Sequence, residues 1–212
     1  MAMKTLGRRQ SVAAAPDTDE NRWIDIEGLH KVYRSRKSEP THALSDINLQ
    51  VKRGEFISIV GPSGCGKTTL LKILAGLIPR SEGTVRVAGR DVDGPLPEVG
   101  LVFQAATLLP WRTIQQNVMV PVEVQRLDRT VYRERAAELL TMVGLDGFAD
   151  KYPHELSGGQ AQRVAICRAL AVEPKLIVCD EPVSALDVSI QAQILNLLSE
   201  LKERLGLTLI FI

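Results

Sequence analysis

Apolar and polar residues alternate along this chain with two periods, one typical of strands and the other of helices. Ile24 and Ile26 alternate with acidic residues, which predicts an edge strand with one buried face. Residues 44–51 alternate in the same way, and residues 83–92 predict a short strand between turns. Residues 55–60 are almost continuously apolar, which predicts a central strand covered on both faces.

Four stretches carry the helical period instead. They are residues 67–77, 133–143, 160–172 and 189–205, with Pro174 after the third and Gly206 after the fourth. A further apolar run, residues 176–179, predicts another buried strand. Strands that alternate with helices indicate a mostly parallel sheet with ligands at the carboxyl ends of its strands.

The middle of the chain departs from this alternation. The strand pattern fades after Thr107, and the amphipathic stretch 133–143 follows, so we expect a mostly helical lobe inserted into an α/β core.

The apolar run at residues 207–212 predicts a core strand, and the sequence ends inside it at Ile212. Domains seldom stop within a core strand, so we expect the domain to be truncated at this end.

Composition narrows the class of protein. The 212 residues are 45% hydrophobic, which excludes a disordered chain, and 26 Lys+Arg against 25 Asp+Glu argues against binding nucleic acid by bulk charge. Aromatic residues make up 4%, which argues against an aromatic stacking platform. No apolar run reaches the roughly 18 residues of a membrane span, so any membrane association is expected to go through a partner.

The three cysteines are widely spaced and do not cluster with histidines, which indicates a reducing compartment and neither a zinc site nor a disulfide framework. Residues 1–21 lack the apolar stretch of a secretory signal, and we expect a disordered leader there.

A glycine-rich segment, the phosphate loop, follows the predicted central strand and opens a helix. It consists of Gly61, Pro62, Ser63, Gly64, Cys65, Gly66, Lys67 and Thr68. Its glycines let backbone N–H groups converge on a phosphate, and the helix N-terminus adds partial positive charge. Lys67 is suited to neutralising the β- and γ-phosphates, and the Thr68 hydroxyl to binding Mg²⁺. Because no Asn-Lys-x-Asp motif for guanine is present, adenine is favoured.

Two carboxylates, Asp180 and Glu181, follow the apolar run 176–179. An acid pair after a strand is by itself usually a solvated loop. Parallel strands end at one edge of a sheet, however, so we expect Asp180 beside the Mg²⁺ of Thr68. Glu181 is then placed to orient or deprotonate the attacking water.

The segment Leu156-Ser157-Gly158-Gly159-Gln160, here the signature segment, lies between the phosphate loop and the acid pair. Ser157 alone would be an ordinary helix N-cap. In this order the motifs resemble those of the ATP-binding cassette (ABC) family, and the resemblance covers residues 23–212. It implies that Ser157, Gly158, Gly159 and Gln160 help to bind an ATP molecule held by an opposing subunit in a head-to-tail dimer.

The resemblance also assigns residues outside these motifs. It implies that Tyr33 stacks on adenine, that Thr69 supports the α-phosphate side, and that Gln104 touches Mg²⁺ and the attacking water. Residues 184–187, Ser-Ala-Leu-Asp, match the family's loop that crosses the dimer interface.

The fold that the resemblance implies is an α/β P-loop NTPase core. It would have a mostly parallel sheet, an N-terminal antiparallel β region and a helical subdomain at about residues 105–160, within a nucleotide-binding domain at residues 22–212. The family also places a histidine after the last strand seen here, whereas His30, His42 and His154 all precede Asp180. Turnover by this chain alone is therefore in question.

The implied function is that of the ATP-hydrolysing subunit of a bacterial importer, with ATP and Mg²⁺ as cofactors. Its partners would be a second cassette subunit, membrane permeases and, indirectly, a substrate-binding protein, at the cytoplasmic face of the inner membrane. Residues 108–113, which include Trp111, resemble nitrate, sulfonate and taurine importers and suit a groove for a permease helix. Residues 181–193 resemble peptide and nickel importers, so the substrate stays open.

Two alternatives remain beside the importer. One is a truncated cassette that binds ATP without efficient turnover, and the other is a cassette ATPase outside transport. A P-loop kinase should lack the signature segment and is set aside.

Overall fold

The computed structural model describes residues 22–34 and 39–212. The leader expected at residues 1–21 lies outside the described residues. The chain divides into two compact units. The first unit comprises the described residues up to Leu96 together with Thr208–Ile212, and the second comprises Pro97–Leu207.

The first unit is built mainly from strands. Its elements are β1 (Arg22–Tyr33), β2 (Thr41–Lys52), β3 (Phe56–Ser58), α1 (Lys67–Leu74), β4 (Glu82–Val87), β5 (Arg90–Asp91) and β8 (Thr208–Phe211).

The N-terminal strands form an antiparallel sheet in the order β2-β1-β4-β5. Ile26 pairs with Leu49 on one side and with Val85 on the other. The prediction that β1 is an edge strand was therefore wrong. The alternation of Ile24 and Ile26, both almost fully buried, reports which face is covered but not how many strands lie beside it.

Strand β3 runs parallel to β8, with Ile57 opposite Ile210, so the predicted strand in residues 207–212 is confirmed. The expectation that residues 55–60 are covered on both faces was wrong. Phe56 is 41% exposed and Val60 is 65% exposed. Among the described strands β3 pairs with β8 alone, and a strand at the edge of its sheet has fewer neighbours to cover it.

Residues with positive φ explain two departures from the predicted boundaries in the first unit. Residues 83–92 form two strands, β4 and β5, because Ala88 and Gly89 adopt positive φ values of 52° and 74° and turn the chain. Helix α1 ends at Leu74 rather than at residue 77, since Gly76 takes a φ of 68° that cannot continue a right-handed helix.

The second unit joins a pair of strands to several helices. Its elements are β6 (Val99–Val102), α2 (Ile114–Val118), α3 (Val120–Val124), α4 (Arg129–Met142), a 3-10 helix (Pro153–Glu155), α5 (Gly158–Leu170), β7 (Leu176–Cys179) and α6 (Val188–Leu205).

The described structure confirms the α/β class, with antiparallel strands at the N-terminus and parallel pairs in both units. Strands β6 and β7 are parallel, with Val102 opposite Cys179. The stretch predicted as a helical lobe contains α2, α3 and α4. Its limits as a subdomain at residues 105–160 stay a prediction.

Helix α4 begins at Arg129, four residues earlier than residue 133, the start of its apolar period. The reason is a cap, since the Asp128 side chain accepts a hydrogen bond from the Thr130 N–H at 2.8 Å. Helix α5 likewise begins at Gly158, directly after its cap Ser157.

Helix α5 lies unusually close to β6. A Cβ atom at Gly100 would stand 2.8 Å from the Ala169 carbonyl oxygen and 2.7 Å from Ile177 Cδ1. These distances are shorter than van der Waals contact, so only glycine permits this approach of helix to strand.

Gly100→Ala is therefore expected to lower the free energy of unfolding by about 1–3 kcal/mol, because the new methyl group must displace backbone on α5. Urea titration followed by circular dichroism measures the loss.

Gly94→Ala is the matched control, since a Cβ there meets nothing within 4 Å. Its free energy of unfolding should stay within about 0.5 kcal/mol of the parent. Equal stability of the two variants would contradict the close packing of α5 on β6.

Candidate functional site

The phosphate loop of the first unit connects the segment after β3 to α1 through left-handed glycines. Gly64 and Gly66 have φ values of 78° and 98°, and a Cβ at Gly66 would lie 2.4 Å from the Ala43 carbonyl oxygen. Gly66 is the N-cap of α1, and no side chain caps the helix there. The first turn of α1 therefore presents its positive dipole end without a side-chain acceptor, which is the arrangement that suits an anion.

The Lys67 side chain folds back along this loop. Its ammonium group donates to the Gly61 and Pro62 carbonyl oxygens, both at 2.9 Å, and lies 4.0 Å from Cys65 Sγ. The positive charge is thus held inside the curve of the loop. Thr68 and Thr69, in the first turn of α1, are half-buried, and Ser63 is exposed.

Tyr33 ends β1 with 44% of its surface exposed, and the Lys31 ammonium lies 5.1 Å from its ring centroid. Tyr33 pairs with Thr41 on β2, two residues before Ala43, whose carbonyl contacts Gly66. In the first unit, the accessible ring of Tyr33 therefore lies beside the first residues of β2. The same end of β2 contacts the phosphate loop.

The two carboxylates of the second unit follow β7 directly. The Asp180 N–H donates to the Val102 carbonyl at 2.9 Å, so the parallel pairing continues to the point where the acids begin. Glu181 has a φ of 47°. A non-glycine residue in this left-handed region costs backbone energy that the surrounding structure must supply, and such residues concentrate at functional sites.

Gln104, after β6, is joined to Glu181 through Ser184. The Gln104 Nε2 atom donates to Ser184 Oγ at 2.9 Å. Ser184 Oγ in turn donates to the Glu181 carbonyl at 3.2 Å, and the Ser184 N–H does so as well. Sequence reasoning assigned Ser184 only to an interface loop and missed this link, because a contact between residues 80 positions apart leaves no local pattern.

The signature segment forms the start of α5. Ser157 Oγ accepts from the Gln160 N–H at 3.3 Å, and Gln160 Oε1 accepts from the Ser157 N–H at 2.9 Å, which is a capping box. Ser157 is thus an N-cap, as one interpretation of the sequence held, and both Ser157 and Gly158 are exposed. A Cβ at Gly159 would lie 2.7 Å from Ile190 Cγ2, so the helix start packs closely on α6.

The predicted site residues therefore fall into two groups, each organised within one unit. The first unit holds Tyr33, the phosphate loop and Thr69. The second holds Gln104, the signature segment, Asp180 and Glu181. Their roles in binding and catalysis stay predictions.

Trp111 lies on a separate loop of the second unit, and its side chain is 72% exposed. The fully buried side chain of Asn117 fixes this loop. Its amide donates to the carbonyls of Leu109 and Arg112, each at 3.1 Å, and its oxygen accepts from the Leu109 N–H at 2.7 Å. The indole ring is therefore presented on a loop whose backbone is bonded to a buried side chain.

Beside this loop, Glu123 is bonded to both Arg112 and Arg129. These hydrogen bonds, from Arg112 first, lower the pKa of Glu123 below its usual value. Within the part of the chain that the structure describes, every helix is too short or too polar to span a lipid bilayer.

Comparison with known proteins gives closely related sequences. The methionine import ATP-binding protein MetN 2 of Bacillus licheniformis is 42% identical over 89% of this chain, and the chain spans 58% of its length. The taurine import ATP-binding protein TauB of Escherichia coli is 45% identical over 77% of this chain, and 64% of that protein is covered.

A solved structure has the same fold. The ATP-binding cassette MJ0796, determined as a dimer bound to ADP and Pi, superposes with a TM-score of 0.77 at 37% identity. The match covers 89% of this chain and 86% of that one. The sequence profile described as ABC transporter matches residues 44–184, which is most of this chain. The chain belongs to the ABC transporter family.

Proposed function

We propose that the chain is the ATP-binding and ATP-hydrolysing subunit of a bacterial ABC importer. The observation that carries this proposal is the phosphate loop, whose glycines lead into the uncapped N-terminus of α1 with the Lys67 ammonium held inside the curve. A polyanion such as the triphosphate of ATP would replace the carbonyl partners of Lys67 and meet the helix dipole at the same place.

The first unit supplies most of the nucleotide contacts. Lys67 is proposed to neutralise the β- and γ-phosphates, and backbone N–H groups between Gly61 and Thr69, apart from Pro62, which has none, are proposed to donate to phosphate oxygens. The exposed ring of Tyr33 supports stacking on adenine, since its position is tied through β2 to the phosphate loop.

The donor chemistry fits Mg²⁺, which prefers oxygen ligands from hydroxyl, carboxylate and amide groups. Thr68, Asp180 and Gln104 are proposed to hold the ion, which when bound would neutralise charge on the β- and γ-phosphates. Glu181 is proposed to take the proton of the attacking water, with Gln104 orienting that water. The Ser184 link supports this assignment because it fixes the amide of Gln104 relative to the Glu181 backbone.

The second nucleotide contact is proposed to come from another copy of the chain. Ser157, Gly158 and Gly159 stand at a helix N-terminus where Ser157 and Gly158 are exposed, which suits the γ-phosphate of an ATP molecule on the opposing subunit. The dimeric state of the similar cassette MJ0796 supports this arrangement. Residues 184–187 would then lie at the interface.

The importer assignment is supported by the names of MetN 2 and TauB, which are import ATP-binding proteins. We propose that permease subunits dock on the helical part of the second unit, where Trp111 is exposed, and that the protein is peripheral at the cytoplasmic face of the inner membrane. Substrate choice would belong to the permeases and a substrate-binding protein. No substrate is therefore proposed for this chain.

Two substitutions separate binding from hydrolysis. Lys67→Ala should weaken ATP binding at least about tenfold, because it removes the charge that pairs with the phosphates. Glu181→Gln should keep ATP binding and lower the hydrolysis rate about 100-fold or more, since the amide cannot accept the proton of water. Calorimetric titration with a slowly hydrolysed ATP analogue and a phosphate-release assay measure the two effects.

Lys72→Ala, at the far end of the same helix, is the charge-matched control and should leave both quantities unchanged. Unaltered ATP affinity in Lys67→Ala would refute the proposed phosphate site.

Cys65 should be the one reactive thiol among the three cysteines. Burial raises the pKa of Cys167 to about 12 and raises that of Cys179 as well, whereas Cys65 is only half-buried. Iodoacetamide at neutral pH should therefore modify Cys65 alone and block nucleotide binding, and ATP should protect the thiol. Mass spectrometry of labelled peptides tests this, with Cys65→Ser as the unlabelled control. Full labelling with undiminished ATP binding would contradict it.

Trp111→Ala should weaken association with the permease subunits at least about tenfold, because exposed aromatic side chains dominate protein interfaces. ATP affinity should not change, since no nucleotide contact is proposed for Trp111. Co-purification from detergent-solubilised membranes measures the effect. Val131→Ala, which truncates another exposed apolar residue of the second unit, is the control. Equal permease recovery from both variants would exclude the docking role.

A further inference from the structure

Helix α5 contacts the segment around Gln104 at two points, one on either side of that residue. The Gln162 Nε2 atom donates to the Phe103 carbonyl at 3.0 Å. Arg168 donates to the Ala106 carbonyl at 2.7 Å and to the Thr107 carbonyl at 3.0 Å. Both donors belong to the helix that begins at the signature segment.

Water reaches these bonds unequally, since the bonds to the Phe103 and Ala106 carbonyls are partly buried and the bond to the Thr107 carbonyl is exposed. Gln162 is 3% exposed, and burial lowers the pKa of the Arg168 guanidinium. Thr107 has a φ of 43°, an unfavourable conformation for a branched residue, and Arg168 also contacts its hydroxyl at 3.4 Å. A forked guanidinium that holds two successive carbonyls fixes the direction of the backbone as well as its position.

The backbone of α5 is itself seated on β6 at Gly100, only a few residues before Gln104. Helix α5 therefore contacts residues 100–107 at three places. One is the close backbone contact at Gly100, and the other two are the side-chain clamps made by Gln162 and Arg168. Gln104 lies between the clamps.

We propose that Gln162 and Arg168 are positioning residues for Gln104, which they tie to the signature helix so that segment 103–107 and α5 move as one body. This inference rests on the proposed function. If Ser157 senses ATP on the opposing subunit, a displacement of α5 moves Gln104 relative to the attacking water in the chain's own site. The two ATP sites of a dimer would thus be coupled through two side chains.

The test is a double-mutant cycle with Gln104. Arg168→Lys keeps the charge but loses the fork, and Gln162→Met keeps the size but loses the donor. In the full-length protein assembled with its permeases, each should lower kcat about tenfold with little change in KM, because Gln104 is misplaced while nucleotide binding is intact. In a Gln104→Ala background neither should lower kcat further, since no amide remains to be positioned.

Arg163→Lys is the matched control. Arg163 lies on the same helix and also donates to a carbonyl, that of Val143 at 2.7 Å, but does not touch segment 103–107. Any kcat loss in this variant should be the same in both backgrounds. Equal fold-losses for Arg168→Lys with and without Gln104 would overturn the proposal, as would native kcat in Gln104→Ala.

Amide hydrogen exchange separates this proposal from the ATPase assignment. Arg168→Lys should speed exchange in peptides that cover residues 104–108, and Arg163→Lys should not. Unchanged exchange in Arg168→Lys overturns the clamp even if ATP is hydrolysed. Faster exchange in a protein that never hydrolyses ATP would leave the clamp standing and remove the proposed function, and with it the positioning role.

Discussion

The direct packing of the α5 backbone against β6 is the contact on which the second unit depends. Gly100 permits it, because any larger residue would collide with the Ala169 carbonyl. With helix α5 in this position, Gln162 and Arg168 bond to the segment that carries Gln104. The Ser157 cap stands at the exposed end of the same helix. Helix α5 therefore connects two proposed contacts. Its exposed N-terminus at Ser157 suits a phosphate of the opposing subunit, and the segment bound to it carries Gln104, which is proposed to act at the chain's own nucleotide.

The two helix N-termini that are proposed to bind phosphate are capped differently. Gly66 leaves the start of α1 without a side-chain cap, and Lys67 adds a full positive charge. At α5, Ser157 and Gln160 close a capping box and supply no charge of their own. An uncapped helix end with a lysine suits tight binding of a triphosphate, whereas a capped neutral end suits a weaker contact that forms and breaks with each cycle. This difference agrees with the proposal that the first unit holds ATP and that the signature segment of a second copy contacts it in only part of the cycle.

Local chemistry explains which features the sequence could predict. The phosphate loop, the buried run at residues 176–179 and the long helix α6 follow from turn glycines and hydrophobic periods, and they were predicted almost to the residue. The interior position of β1 was missed because alternation reports faces and not neighbours. The links of Gln104 to Ser184 and of Gln162 to Phe103 span 80 and 59 positions. Side-chain bonds over such separations depend on the folded backbone and leave no periodic trace in the sequence.

The proposed ATP site is one that a second copy of the chain completes. Sedimentation equilibrium of the Glu181→Gln protein, with and without ATP and Mg²⁺, tests it most directly, because slowed hydrolysis preserves a nucleotide-bound dimer. We expect the mass of one chain without nucleotide and of two chains with it. A protein that binds ATP with full affinity and keeps the mass of one chain would contradict it.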